Sequence, residues 1–376
     1  MNNQHYNDFF NTDVAELDPD TDRIIHCEEE RQARRFILIP SESIAPLAVR
    51  QALGSVLNNI YAEGYPRLQM TRDEEDLILE HAHQLAHYRR YADRRFYKGV
   101  EFADLIETLA QRRAAQCFAT PEFPAEDIFV NVQPLSGAAA NLAVYQTFLQ
   151  PGDTLMGLNL FQGGHLTHGS EFNLSGRLYD VVSYNVDPQT ERLDYAAIMA
   201  LAREHRPKII VAGYTSYPWA PDWVKFREIA DEVGALLMAD IAHTAGMASA
   251  GAYPTPIGHA DVITFTTHKT ICGPRGAVIM TTDEDKATLI DAAVFPGEQG
   301  GPHVNKFAAM AVAFKIAQTD RFHRLQHDIV KNAKAFADSL AKRGLKLAYG
   351  GTDTHLLLVD LRAIETSTGF PLRGEM

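Results

Sequence analysis

From Ile128 onward, apolar runs of strand length alternate with segments of helical periodicity, and this alternation constrains the fold most. Ile128–Val132, Thr154–Leu158, Ile209–Gly213, Ala235–Asp240, Asp261–Phe265 and Ala277–Met280 read as strands; Ala138–Phe148 and Trp223–Val233 read as helices. Strands joined through helices imply crossover units, hence an α/β fold with a mostly parallel sheet covered on both faces. Such sheets bind ligands beyond the carboxyl ends of their strands. Chemistry is therefore sought in residues that follow strands.

The 376 residues suffice for a large core and more than one domain. Glu101–Phe118 reads as an amphipathic helix with Phe102, Leu105, Leu109 and Ala110 on one face. Ala308–Ala317 and Phe322–Arg343 are further helices, and Leu345–Tyr349 with Thr354–Leu361 reads as a strand pair. No apolar run reaches membrane-spanning length. Met1 to Pro19 is polar and acidic, unlike a secretory signal, so a cytoplasmic protein is expected. The net charge of −13 argues against a nucleic-acid partner. Cys27, Cys117 and Cys272 form neither a disulfide framework nor a CxxC metal site. The basic run Arg89-Arg90 to Arg94-Arg95 lies beside the acidic Asp73-Glu74-Glu75-Asp76, which predicts a salt-bridged helix.

Four segments carry chemistry. Thr264 to Thr270 runs from a strand into Lys269, followed by the turn Gly273-Pro274-Arg275-Gly276. A lysine at a strand exit reaches a ligand over the sheet edge, and desolvation suits it to Schiff-base chemistry. Ala239-Asp240-Ile241-Ala242-His243 ends an apolar strand on an aspartate, which needs a cation such as a protonated pyridine nitrogen, or else caps a helix. Gln133-Pro134-Leu135-Ser136-Gly137-Ala138 lies between strand and helix, where N–H groups and the Ser136 hydroxyl bind a phosphate or simply cap the helix. Gly163-Gly164-His165-Leu166-Thr167-His168-Gly169 holds two histidines; with no CxxC or acidic cluster nearby, an imidazole stacked on a flat ring fits better than a metal site.

The order phosphate loop, histidine, aspartate, lysine is that of pyridoxal-phosphate enzymes, and the particular words are narrower. Ser41-Glu42-Ser43, Tyr61-Ala62-Glu63-Gly64-Tyr65-Pro66, Gln162 to Gly169, Asp240 to His243, Thr266 to Thr270, Phe295 to Pro302 and Asp353 to Leu356 resemble the serine hydroxymethyltransferase family, from about Asp22 to about Arg362. The resemblance implies the aspartate-aminotransferase-like type I fold and reversible one-carbon transfer between serine and glycine with tetrahydrofolate as carrier. By similarity, Lys269 holds the pyridoxal 5'-phosphate, Asp240 keeps its pyridine nitrogen protonated, and His165 and Ala242 pack on its two faces. Ser136 and Gly137 bind its phosphate, while Thr215 and His243 contact its phenolic oxygen and neighbouring groups. Tyr61, Gly300 and Gly301 reach the phosphate from a partner subunit, which implies a homodimer or homotetramer with shared sites. Glu63 acts in acid–base steps, Tyr97 lines the same pocket, Ser41 lies near the substrate carboxylate, and Arg275 stands beside the lysine loop. Leu160, Gly164 and Leu166 hold the pterin.

The pattern is interrupted at three places. A segment of helical character, 67–94, separates Tyr65-Pro66 from Arg95-Phe96-Tyr97; it reads as a surface helical hairpin, with a lid over the substrate entrance as the alternative. Phe96 stands where the family has tyrosine, and Ala138 where it has serine. No segment matches the family's carboxylate-binding arginine, Arg362 and Arg373 standing in another context, so a truncated small domain that exposes the apolar faces of Leu356–Leu361 is expected. The resulting division is an N-terminal arm and helix (1–50), a large cofactor domain (51–310) and the start of a small domain (311–376). The competing readings are a folate-independent 3-hydroxy amino acid aldolase and a non-catalytic paralogue.

Overall fold

The structure is a computed structural model that describes residues 9–90 and 94–364. The end of the inserted segment (91–93) and the tail that holds Arg373 lie outside the described residues. The chain divides between Glu42 and Ser43 into two units. In the N-terminal unit the helix Pro19–Arg34 starts on proline with Asp18 as its cap, the Thr21 N–H donating to Asp18 Oδ1 at 3.1 Å, and no residue of it is buried.

In the second unit, after the helix Leu47–Leu53, two short strands, β1 (Gly64–Tyr65) and β2 (Arg94–Arg95), form an antiparallel ladder. Between them run the helices Leu68–Thr71, Glu75–Leu79 and His81–Arg90, so the inserted segment is helical. Of the neighbouring basic run, Arg94 pairs with Asp291, and Arg95 with Asp104 and Glu107. Of the acidic run, Glu74 and Glu75 receive Arg112 and Arg113 of the helix Glu101–Phe118, each at 2.6 Å. Ion pairs are chosen in space, and that helix is the surface on which the segment lies, with Ile78 fully buried.

Seven strands form the central sheet: β3 (Phe129–Asn131), β4 (Thr154–Leu158), β5 (Asp180–Tyr184), β6 (Ile209–Ala212), β7 (Leu236–Asp240), β8 (Val262–Thr266) and β9 (Ala277–Thr281), in the order β3-β9-β8-β7-β6-β4-β5. β9 runs against the other six strands. β6, β8 and β9 are buried along their whole length, which is why they read as unbroken apolar runs. β5 lies at the sheet edge, half exposed, and its Asp-Val-Val-Ser-Tyr sequence gives no such run.

The helix Glu101–Phe118 departs from the expected apolar face. Phe102 is exposed, whereas Asp104, Glu107 and Arg112 are buried beside Leu105 and Leu109. Arg95 explains the two acids: its side chain and theirs are fully enclosed, with Nε donating to Asp104 Oδ1 at 2.7 Å and Nη2 to Glu107 Oε2.

After the helices Val304–Ala317 and Asp320–Lys342, β10 (Leu347–Ala348) pairs with β11 (Leu358–Val359). The expected exposure of Leu356–Leu361 is not found. Leu356 is buried, and Leu357, Leu358 and Val359 are partly covered. The preceding turn anchors them, the Asp353 N–H and the Thr352 hydroxyl both donating to the Pro218 carbonyl. Among the described residues no helix is long and apolar enough to cross a membrane.

Candidate active site

Sheet direction assembles the site. β3, β4, β6, β7 and β8 all run one way, so the residues that follow them emerge along one edge. These are Ser136-Gly137, His165, Thr215, Asp240 with Ala242 and His243, and Lys269 with Arg275. All nine line a single cavity, which Ala138, His168, Tyr214, Thr266 and His268 complete.

Asp240, at the last position of β7, is 8% exposed. Its Oδ2 accepts from Asn141 Nδ2 at 2.9 Å and pairs with His168 Nε2 at 3.0 Å, and its Oδ1 accepts from the Ala242 N–H. Burial pushes the carboxyl upward, but the hydrogen bond and charge of His168, with His165 and Asn141, outweigh it and hold Asp240 well below the usual carboxylate range. His168 Nδ1 accepts from the His165 N–H, so the ring proton sits on Nε2 and points at Asp240. The Thr264 hydroxyl fixes Asn141 in turn by donating to its Oδ1 at 2.8 Å. Behind the aspartate only glycine fits at 213. Its φ is +131°, and a Cβ there would lie 1.9 Å from the Asp240 carbonyl oxygen.

Lys269 follows β8 by three residues. Burial pushes its ammonium down from the usual range; Asp240 pulls it back, and Arg275 pushes it further down. The His165 imidazole is pushed down to about 4, by burial first, and its Nδ1 pairs with the Thr167 hydroxyl at 2.7 Å. His243 is also pushed well down by burial, then by Lys269 and His355. It stacks on His355 with ring centroids 5.4 Å apart. His165 and His243 are therefore neutral surfaces at pH 7.

Also lining the cavity, Ser136 caps the helix Gly137–Phe148, its Oγ accepting from the Ala139 N–H at 3.3 Å. A Cβ at Gly137 would press within 2.9 Å of Thr266 Cγ2, so only glycine lets the helix start so close to β8.

His165, His168 and Asp240 place three ligating atoms within 4.8 Å of one another, a spacing that could hold a metal ion. Hydrogen bonds already engage both nitrogens of His168, Nδ1 of His165 and both oxygens of Asp240. The donor set fits a phosphorylated pyridine aldehyde better: an amine for the aldehyde, an ionised carboxylate for the ring nitrogen, and a capped helix N-terminus for the phosphate.

A second group of expected residues gathers around Glu63. Tyr97 donates its hydroxyl to Glu63 Oε2 at 3.0 Å and meets the Tyr61 ring edge-on at 5.6 Å. Gly301 lies against Tyr61, and Gly300 against Glu63. None of these five lines the Lys269 cavity. Leu160, Gly164 and Leu166 follow β4, and a Cβ at Gly164 would lie 2.0 Å from the Leu158 carbonyl oxygen. Ser41 belongs to the N-terminal unit.

Sequence reasoning assigned no role to Asn141, Thr264 or His355, and none to His168 beyond its motif. For Asn141 the signal was present, as one amide in the otherwise apolar first turns of Gly137–Phe148.

The family model of serine hydroxymethyltransferase matches residues 14–89 and 82–370, two stretches that meet inside the inserted segment. With this match and the seven-stranded, mostly parallel sheet, the chain belongs to the serine hydroxymethyltransferase family and has its type I pyridoxal-phosphate fold.

Proposed function

We propose that the chain catalyses reversible transfer of a one-carbon unit between serine and glycine, with tetrahydrofolate as carrier and pyridoxal phosphate held by Lys269. The observation that carries this reading is the placement of Lys269, an ionised Asp240 and Ser136 in the lining of one cavity. When bound, the cofactor supplies an electron sink for the pair left by the departing hydroxymethyl group.

The chain's own residues do the rest. Burial lowers the fraction of Lys269 that is charged, which frees its amine for attack on a carbonyl. Asp240, oriented by His168 and Asn141, holds a proton on the ring nitrogen. His165 and Ala242 exclude water from the ring faces, while Thr215 and His243 hold its oxygen side. Ser136 and Gly137 take the phosphate, and Arg275 keeps the lysine loop cationic. Glu63 moves the proton of the substrate hydroxyl, and the hydroxyl of Tyr97 fixes the carboxylate for that task. Ser41 lies towards the substrate carboxylate, and Leu160, Gly164 and Leu166 towards the pterin. Because the Glu63 group stands apart from the Lys269 cavity, Tyr61, Glu63, Tyr97 and the Gly300-Gly301 turn serve a second copy of the chain, and a homodimer is the smallest competent unit.

The test is a visible spectrum of the purified chain with pyridoxal phosphate, before and after glycine and tetrahydrofolate. A cofactor band that Lys269→Ala abolishes, and that glycine with tetrahydrofolate shifts, supports the reading. A band that ignores both ligands, with cleavage of a 3-hydroxy amino acid that needs no tetrahydrofolate, replaces it by the aldolase. No band at saturating cofactor overturns the assignment of Lys269.

A further inference from the structure

Lys306 is 2% exposed in the first turn of the apolar helix Val304–Ala317, a costly place for an ammonium group. Among the described residues no carboxylate lies within ion-pair distance of it. Its Nζ donates instead to two adjacent backbone carbonyls, Gln133 at 2.8 Å and Pro134 at 2.9 Å. Gln299 grips the same turn, its Oε1 accepting from the Leu135 N–H at 2.9 Å and its Nε2 donating to the Gln133 carbonyl at 3.1 Å. The Gln133 amide is itself held by Gly64 and Glu107, both at 2.8 Å. The turn therefore takes its shape from side chains, and Ser136 is the next residue along it.

Resting on the cofactor reading above, we propose that Lys306, with Gln299, is a positioning residue for the phosphate end of the site. The clamp on Gln133–Leu135 sets where Ser136 and the first N–H groups of Gly137–Phe148 stand. Burial pushes the Lys306 pKa down to about 7, against the pull of Glu107. The clamp survives that titration, since a neutral amine still has two N–H donors for the two carbonyls.

The experiment compares pyridoxal 5'-phosphate with pyridoxal, which lacks the phosphate, by absorption titration of the wild type and of Lys306→Met. The variant is expected to bind the phosphorylated form on the order of tenfold more weakly, the loss of about one buried hydrogen-bonded contact, while pyridoxal affinity stays unchanged. Equal loss for both ligands, or no loss for either, overturns the proposal. If Lys306→Met does not fold, Gln299→Leu decides: a selective loss of the phosphate advantage supports the clamp, and a retained advantage overturns it. A wild type that binds neither ligand refutes the cofactor reading itself.

Discussion

Replacing Arg95 by methionine removes the cation from a fully enclosed triad and leaves two acids behind. The wild-type guanidinium donates to Asp104 Oδ1 at 2.7 Å, to Glu107 Oε2, and to the carbonyls of Ala62 and Gly64 at 2.9 and 2.7 Å. Methionine fills much of the stem volume and supplies no donor. Among the described residues Glu107 then keeps the bond from Gln133 Nε2 alone. Losing one partner of a buried ion pair costs about 3–5 kcal/mol. A stranded carboxylate can escape that cost by taking a proton, which at pH 7 costs about 4 kcal/mol for an acid of ordinary pKa. The two routes agree on a loss of about 3–5 kcal/mol, since only one of the acids must be neutralised outright to relieve the other. That is a large share of the ordinary stability of a folded domain. The pH dependence identifies the cause. The variant's acids bind protons more readily in the folded than in the unfolded state, so its deficit shrinks as pH falls, by about 1.4 kcal/mol per unit for each titrating acid. Urea unfolding followed through Trp219 and Trp223 at pH 7 and pH 5 measures both numbers, and adding Asp104→Asn and Glu107→Gln should restore part of the loss. A deficit below about 1 kcal/mol at pH 7, or one that does not change with pH, would refute the reasoning.

Burial pushes the Asp291 carboxyl up to about 6, against the bond from Asn131 and the charge of Arg94. A carboxyl raised in the folded state adds stability below its ordinary pKa near 4 and loses it as pH rises through about 6. Asp291→Asn keeps an acceptor for Asn131, so it should gain about 1–3 kcal/mol over wild type at pH 7.5 and nothing below pH 4, as read from denaturation midpoints across that range. Joining Pro66 to Arg94 through a short Asn-Gly turn deletes the inserted helices while keeping the Tyr65–Arg94 register pair. Cofactor binding and serine cleavage should persist, with a lowered melting temperature because Met70 and Ile78 no longer cover the helix Glu101–Phe118. A stable deletion that loses serine or folate kinetics would instead make the segment a lid.

The sheet was legible because its strands carry their burial in their composition: Thr154–Leu158 was read with its observed bounds, and Leu236–Asp240 to within a residue. The Lys269 cavity was legible for a related reason. In a parallel sheet, position just after a strand is a location in space, so Ser136, His165, Asp240 and Lys269 could be placed together without knowing any contact. What the sequence did not carry was the choice of partners. Phe102 looked like a core residue but is exposed, while Asp104 and Glu107 are buried, because Arg95, in the ladder of β1 and β2, supplies a cation for both acids. The same ladder explains why an interrupted motif need not be a broken one. β1 and β2 pair Gly64 with Arg95, so the chain leaves and returns at one point, and Glu63 still meets Tyr97 at 3.0 Å. Lengthening a closed loop by roughly three doublings costs about 2 kcal/mol. Burying Met70 and Ile78 returns about 1.5–3 kcal/mol each. The contacts of Met70 and Ile78 therefore offset the closure cost of the inserted segment.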